Sequence, residues 1–270
     1  MPWLEFDSLV NARDLGGTPC TDGGVINSNR LLRSDNLQDL TEHDIRHLLD
    51  LGLTDVVDLR STMEVRSEGP GPLESVDDVR IHHFSYLPET DLKPLPEDDP
   101  ADVSGADTSG VDAPEEALPW VGKAPSVDHD DVFASHYLSY LKDRPDDVVA
   151  ALRTIAYAQG AALVHCAAGK DRTGTTVAMA LTLAGADREA VVADYAASSE
   201  RMQLIIDRLS ASPTYRANLA GRPLSSHLTN AETMVAVLDQ LDQLGGVEAA
   251  LMRLGWTSED TAAMRANLRG

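Results

Sequence analysis

Residues 161–174 read Ala161-Ala-Leu-Val-His-Cys-Ala-Ala-Gly-Lys-Asp-Arg-Thr-Gly174, and the architecture follows from them. Ala161–His165 is a short apolar run of the length of a buried strand. A tight polar loop follows, and from Thr173 to Gly185 the chain is rich in Ala, Val, Met and Leu, which predicts a helix closed by a glycine. A strand feeding a helix through such a loop is the building unit of an α/β layer structure.

The flanking sequence agrees. Thr41–Gly52 has an N-cap Thr, apolar Ile45, Leu48 and Leu49, and a terminating Gly, so it predicts a helix. Thr54–Leu59 and Val79–Phe84 read as short strands. Asp131–Asp143 and Pro145–Gln159 predict helices, the second with proline in its first turn. Asp187–Ser198, Glu200–Ser210, Ala231–Leu244 and Val247–Leu254 continue as helices, and Ser258 caps a last one. The expectation is an α/β fold over one domain, 1–270, with the C-terminal helices covering the sheet.

Composition bounds the function. Apolar residues make up 43% and charged residues 24%, which excludes collagen-like and largely disordered chains. No apolar run approaches the ~20 residues of a membrane-spanning helix. The start, MPWLEFDSLV, lacks the regions of a signal peptide, and only Cys20 and Cys166 are present, so a reducing cytoplasm is expected. The net charge of −22 repels nucleic acid and anionic membranes, so an anionic ligand needs a strong local positive site. Residues 89–131 hold thirteen acids, two lysines and six prolines, and read as a solvated, flexible insertion.

The loop supplies such a site. A loop entering a helix N-terminus points backbone N–H groups at one spot, with the helix dipole behind them. Ala167 to Arg172 form the cradle, and Gly169 allows a backbone turn that a β-carbon obstructs. Arg172 can return its guanidinium over the spot and grip two oxygens, and Lys170 adds a second cation. Thiols beside cations at a helix start ionise readily. Cys166 is then placed for in-line attack on phosphorus, giving a cysteinyl-phosphate that water hydrolyses. No metal or cofactor is called for. A nucleotide-binding Walker loop does not fit, since Val164 stands where its first Gly belongs and Asp171 follows Lys170.

The sequence resembles the cysteine-dependent protein tyrosine phosphatase superfamily, and most closely the bacterial tyrosine/lipid phosphatases with a His-Cys-x-x-Gly-Lys-Asp-Arg-Thr-Gly loop. Asn11-Ala-Arg-Asp-Leu-Gly-Gly17, Arg33-Ser-Asp35, Asp58-Leu-Arg60 and Glu232-Thr-Met234 fall in that family's order. The resemblance implies a central, mostly parallel sheet flanked by helices. It also implies hydrolysis of phosphate monoesters on proteins or phosphoinositides, these being the expected partners.

No Trp-Pro-Asp tripeptide is present, and Trp120 is followed by Val-Gly, so the proton donor is sought elsewhere. Close relatives place an acid at the position of Asp171. Asp58 is the second candidate, near the end of a buried strand, its other role being to orient Arg172 or Arg60. The family favours a tuning role for His165. Thr173 either hydrogen-bonds the sulfur or is a plain helix-start residue. Lys170 either suits substrates with several phosphates or is an exposed lysine at the mouth. Asn11, Arg13 and Asp14 are expected to pack beside the loop. Residues 211–230, with Pro213, Tyr215 and Pro223, form either a lid or an ordinary connection.

Weaker features are His43 and His47, spaced like a metal-binding pair but read as surface histidines, and Cys20, either a partner for an oxidised Cys166 or a small apolar filler. Two other functions compete with phosphatase chemistry. One is a phosphate-recognition module without turnover, disfavoured by the presence of both Cys166 and Arg172. The other is a sulfurtransferase-type thiol enzyme, disfavoured by the Arg-Thr-Gly ending of the loop.

Overall fold

The computed structural model describes residues 3–88 and 124–270. Most of the acidic insertion expected at 89–131 lies outside the described residues. Its last eight residues are tied to the following helix, where Ser139 Oγ accepts the amides of Ser126 and Val127.

Among the described residues five strands form one sheet: β1 (Arg13–Asp14), β2 (Leu31–Ser34), β3 (Leu53–Asp58), β4 (Arg80–His83) and β5 (Ala161–His165). Their spatial order is β1-β2-β5-β3-β4, with β1 antiparallel to β2 and every other pairing parallel. This is the mostly parallel α/β sheet that the central stretch implied. Parallel strands need helical crossovers, which put helices on both faces. Side chains alternate accordingly. Leu32, Val56 and Leu163 join one core with Leu48 of α1 (Glu42–Asp50). Leu31, Val57 and Val164 join the other with α3 (Val132–Asp143), α4 (Pro145–Tyr157) and α5 (Asp171–Ala184).

Two short strands, the helix after β3 and the short helix Pro213–Leu219 were not anticipated. β1 and β2 have only two and four residues, too short for a periodic signal. The helix α2 (Thr62–Glu68) follows β3 and starts with a capping box between Ser61 and Glu64. The central helix α5 begins at Asp171, two residues before its expected start, so Asp171 and Arg172 stand on its first turn.

Beyond α5 the chain is helical: α6 (Arg188–Ala197), α7 (Met202–Ala211), α8 (Pro213–Leu219), α9 (Ala231–Gln243), α10 (Val247–Met252) and α11 (Ser258–Arg269). Thr257, not Ser258, caps α11, because its hydroxyl accepts the Asp260 amide. Met234 of α9, Leu251 of α10 and Leu268 of α11 pack into the same core as α4 and α5, so these helices cover that face of the sheet. Among the described residues no helix is long and apolar enough to cross a membrane.

Candidate active site

The register aligns the carboxyl ends of four strands: Ser34 pairs with His165, His165 with Asp58 and Asp58 with His83. The loop 166–170 leaves this edge at the central strand and enters α5. Gly169 has φ +66°, and a Cβ there would lie 2.3 Å from the Ser34 carbonyl oxygen. Only glycine fits.

The loop is held from behind by its carbonyls. The Asn36 amide donates to Ala167 O at 3.0 Å. Asn11 Nδ2 donates to Ala168 O at 2.8 Å and Gly169 O at 3.2 Å, and Arg33 donates to Gly169 O at 2.6 Å. In a planar trans peptide the next N–H points opposite to the carbonyl. The amides of Ala168, Gly169 and Lys170 therefore face the other way, into a cup continued by the open N-terminus of α5. Arg13 and Arg33 both pair with the buried Asp194 on α6, which fixes the clamp. The two arginines and Asn11 thus support the loop, the packing role expected of Asn11 and Arg13, whereas Asp14 accepts the amides of Gly16 and Asn29 instead.

Cys166 precedes this loop and is 2% exposed. Arg172, equally buried, is gripped by Glu64 of α2 in a two-pronged pair at 2.5 and 2.9 Å. Burial works against its charge, but the Glu64 carboxylate outweighs burial and raises the guanidinium above its usual range. Nη1 also donates to Leu59 O, whereas Nε is buried without a partner. Thr173 Oγ1, Tyr140 OH, Tyr215 OH and both His227 ring nitrogens are likewise buried and unpartnered. Buried polar atoms without partners are costly unless a ligand or water completes their bonds.

Asp171 sits on the first turn of α5, 2% exposed. Tyr137 OH donates to its Oδ1, and Tyr195 OH lies 2.9 Å from Tyr137 OH. Lys170 Nζ is 3.6 Å from the same oxygen and donates to His227 O at 2.5 Å. Lys170 is 2% exposed, which overturns the alternative of a solvent-exposed lysine at the mouth. Burial pulls its ammonium below the usual range, against the attraction of Asp171.

Asp58 faces a different partner. Arg60 holds its carboxylate through Nε and Nη2, at 3.0 and 2.6 Å, and also through its backbone amide. Burial favours the neutral acid, yet His165 and Arg60 together drive Asp58 well below the usual carboxylate range. His165 Nε2 is 3.6 Å from Asp58, and Nδ1 is 3.3 Å from Cys166 O. Burial lowers His165 to about 4, so its ring is neutral at pH 7.

Residues 202–228 cover the loop. Ile205 and Leu209 of α7 and Tyr215 and Leu219 of α8 form one apolar cluster with Ala167 and Ala168. The His227 carbonyl meets Lys170 from the 3-10 turn Leu224–His227. Behind the sheet edge, a separate cavity of about 440 Å³ is lined by Val56, Asp58, Arg60, His83 and His165 among others, and does not reach Cys166.

The weaker sequence features resolve differently. His43 Nδ1 lies 3.4 Å from Asp7, and together with Asp44 they cluster within 4.8 Å, without His47. Asp44 is already engaged by the amides of Asp7, Ser8 and Thr41. Cys20 bridges to Ala186 beyond the C-terminal end of α5, whereas Cys166 precedes its N-terminus. A helix of 14 residues separates them by about 20 Å, far beyond disulfide reach, which removes that pairing.

Sequence reasoning did not single out Glu64, Tyr137 or His227. The Ser61-Thr-Met-Glu64 capping box was a readable signal for α2, and so for the element that carries Glu64. Tyr137 and His227 have no spacing signal, since their neighbours come from distant segments.

A thiol before a ring of inward amides, beside a guanidinium anchored by a buried carboxylate, defines a cysteine-dependent oxyanion site on an α/β sheet. Residues 4–270 match the tyrosine phosphatase family, and the chain belongs to it. It is therefore a phosphatase. The chain is similar to the triple specificity protein phosphatase PtpB of Mycobacterium tuberculosis, 32% identical over 214 residues, 76% of this chain and 72% of that protein. It also resembles a protein of Cupriavidus necator named as a tyrosine-protein phosphatase, 29% identical over 198 residues, 73% of this chain and 63% of that protein.

Proposed function

We propose that the protein hydrolyses phosphate monoesters through a phosphoryl group carried on Cys166. The observation that carries this reading is the cup itself: outward-clamped carbonyls, Arg172 fixed by Glu64, and the unpartnered Arg172 Nε beside the thiol's loop. The sulfur, as thiolate, attacks phosphorus in line with the ester oxygen. The S–P bond forms as the P–O bond breaks, and the loop amides and Arg172 carry the charge of the three remaining oxygens.

Asp171 is the proton donor in this scheme. Tyr137 and Lys170 both engage Oδ1, which leaves Oδ2 for the leaving oxygen. In the second step Asp171 takes a proton from water, the water oxygen bonds to phosphorus and the thiolate departs. Asp58 serves as a permanently ionised brace, because Arg60 occupies it from two sides. It sets Arg60 and His165 at the base of the loop. Thr173 Oγ1, buried and without a partner, is available to the sulfur as it leaves. A reducing cytoplasm suits a catalytic thiol.

Phosphotyrosine is the first substrate class. Phosphoserine, phosphothreonine and phosphoinositides are further ones, in keeping with a relative named for triple specificity. Lys170, beside Asp171 at the loop, is the residue that would meet a second phosphate. Residues 211–230 act as a lid, since Cys166 is sealed with them in place. The deciding experiment is phosphate release from p-nitrophenyl phosphate by wild type and Cys166→Ser. Turnover should vanish in the serine variant while phosphate still binds, and undiminished turnover would sink the mechanism. Lys170→Ala should hurt phosphoinositide turnover more than phosphotyrosine turnover.

A further inference from the structure

Tyr215 lies on α8, in the segment covering the loop, and is completely buried. Its ring belongs to the apolar cluster that includes Ala167 and Ala168 of the phosphate loop. Among the described residues its hydroxyl has no hydrogen-bond partner. The charged groups acting on it are Glu64, Arg60, Glu68 and Arg172, which places it beside the ion pair that frames the cup. Burial first, then Glu64, holds its proton on well above the usual tyrosine range, so the hydroxyl keeps a proton to donate. Glu64 does not take it: its oxygens hold Arg172 and the Ser61 amide, and Tyr215 OH bonds to neither.

Two buried donors therefore stand unpartnered around one ion pair, Arg172 Nε from α5 and Tyr215 OH from α8. A buried donor without an acceptor is unfavourable, and folded proteins keep few of them unless a ligand or water completes the bond. Arg172 Nε belongs to the phosphoryl site, and a tetrahedral oxyanion offers several acceptor oxygens in different directions. Tyr140 and Thr173 also carry orphaned hydroxyls, but they stand on α3 and α5, which flank the sheet independently of the covering segment. Tyr215 differs because its position depends on the covering segment.

We infer that Tyr215 is a substrate-binding residue whose hydroxyl donates to an oxygen of the bound phosphoryl group, so that the lid completes the anion site on closing. This rests on the phosphoryl-transfer reading of Cys166. The ligand class is a tetrahedral oxyanion, either the phosphoryl group of a monoester or the phosphate product. Occupancy and closure are then linked, since the anion gains one donor only in the closed form.

The test uses the full chain and inorganic phosphate, comparing wild type with Tyr215→Phe, which keeps the ring and removes only the hydroxyl. Without phosphate, Tyr215→Phe should melt at the same temperature as wild type or higher, because a buried orphan has been deleted. With phosphate, its affinity should be about 10- to 100-fold weaker, read both from the melting shift and from product inhibition of p-nitrophenyl phosphate hydrolysis. The kcat/KM should fall by a similar factor. A phosphate affinity within about twofold of wild type overturns the inference. So does a phenylalanine variant that melts several degrees lower without phosphate, since the hydroxyl then has a partner inside the protein. Wild type that neither binds phosphate nor releases it from the ester would instead sink the phosphoryl reading of Cys166. Loss of turnover with retained phosphate binding in Cys166→Ser leaves that reading intact and makes Tyr215→Phe decisive.

Discussion

The carboxylate of Glu64 and the guanidinium of Arg172, 108 residues apart, meet in a two-pronged pair that is almost wholly buried. Glu64 does two tasks. Its Oε2 accepts the Ser61 amide at 2.6 Å, closing the start of α2, while both oxygens orient the arginine. The Arg172 guanidinium is thereby referenced to a helix outside the loop, with its Nε left without a partner among the described residues. Removing one member of a buried pair leaves the other charge uncompensated.

Glu64→Gln keeps the shape and the helix cap but removes the charge. It should lose about 3 kcal/mol of unfolding free energy. Inorganic phosphate should restore part of that loss, because the dianion supplies the missing negative charge. Denaturant melts with and without phosphate measure both effects. A variant that phosphate stabilises less than wild type would show that Arg172 does not face the anion.

Gly169→Ala places a methyl group 2.3 Å from the Ser34 carbonyl oxygen at a backbone φ of +66°. The loop must shift, and a displacement near 1 Å at a reacting group costs about 100-fold in rate. We expect kcat to fall at least that far, with a stability loss of about 1–3 kcal/mol from the strained backbone. Unchanged kcat would mean that the loop does not set the reaction geometry.

Asp171→Asn tests the proton donor. Aryl phosphates with weakly acidic leaving groups should slow by about 100- to 10,000-fold, while those with strongly acidic leaving groups slow much less. A series of substituted phenyl phosphates gives the comparison. Equal losses across the series would move the role elsewhere, with Asp58→Asn the next variant to examine.

The neutral His165 makes stability depend on pH. Burial lowers it from 6.5 to about 4, so between these values the unfolded chain takes up a proton that the native protein refuses. Stability is therefore complete above pH 6.5 and falls as the pH drops toward 4, by about 3 kcal/mol from this group. Asp58 stays ionised in the native protein and adds slope of the same sign only toward pH 4, as the unfolded carboxyl nears its ordinary value of 3.8. His136 and His227 are displaced downward by burial and act in the same direction. Urea melts between pH 7 and 4.5 should show the decline, and His165→Asn should flatten it. An equal slope in the variant would assign the effect to the other histidines.

Much of the scaffold was legible because its signals are local. The Thr41–Gly52 helix has its cap and stop in sequence, and the structure places its capping box at Thr41 and Asp44. β5 and α5 follow from an apolar run, a loop and a helical composition. β2 escaped because four residues buried on both faces carry no period, and its identity comes from pairing with β5. Cys20 was ambiguous for a similar reason, since nothing in its neighbours told that a whole helix would separate it from Cys166.

By itself the chain of residues determined the loop: a thiol, a glycine where a β-carbon cannot go, and an arginine six positions on, together with the strand and helix that hold them. These depend on backbone conformation and short spacing, which neighbours in sequence control. Only the tertiary structure decided who serves that loop. Glu64 reaches Arg172, Tyr137 reaches Asp171, and Tyr215 and the His227 carbonyl arrive over the cup from a later segment. It also decided between the two readings of Lys170, which is buried at the loop and not exposed at its mouth. Contacts of this kind leave no periodic trace, because they arise when separate elements pack on a shared core and their side chains must find partners out of water.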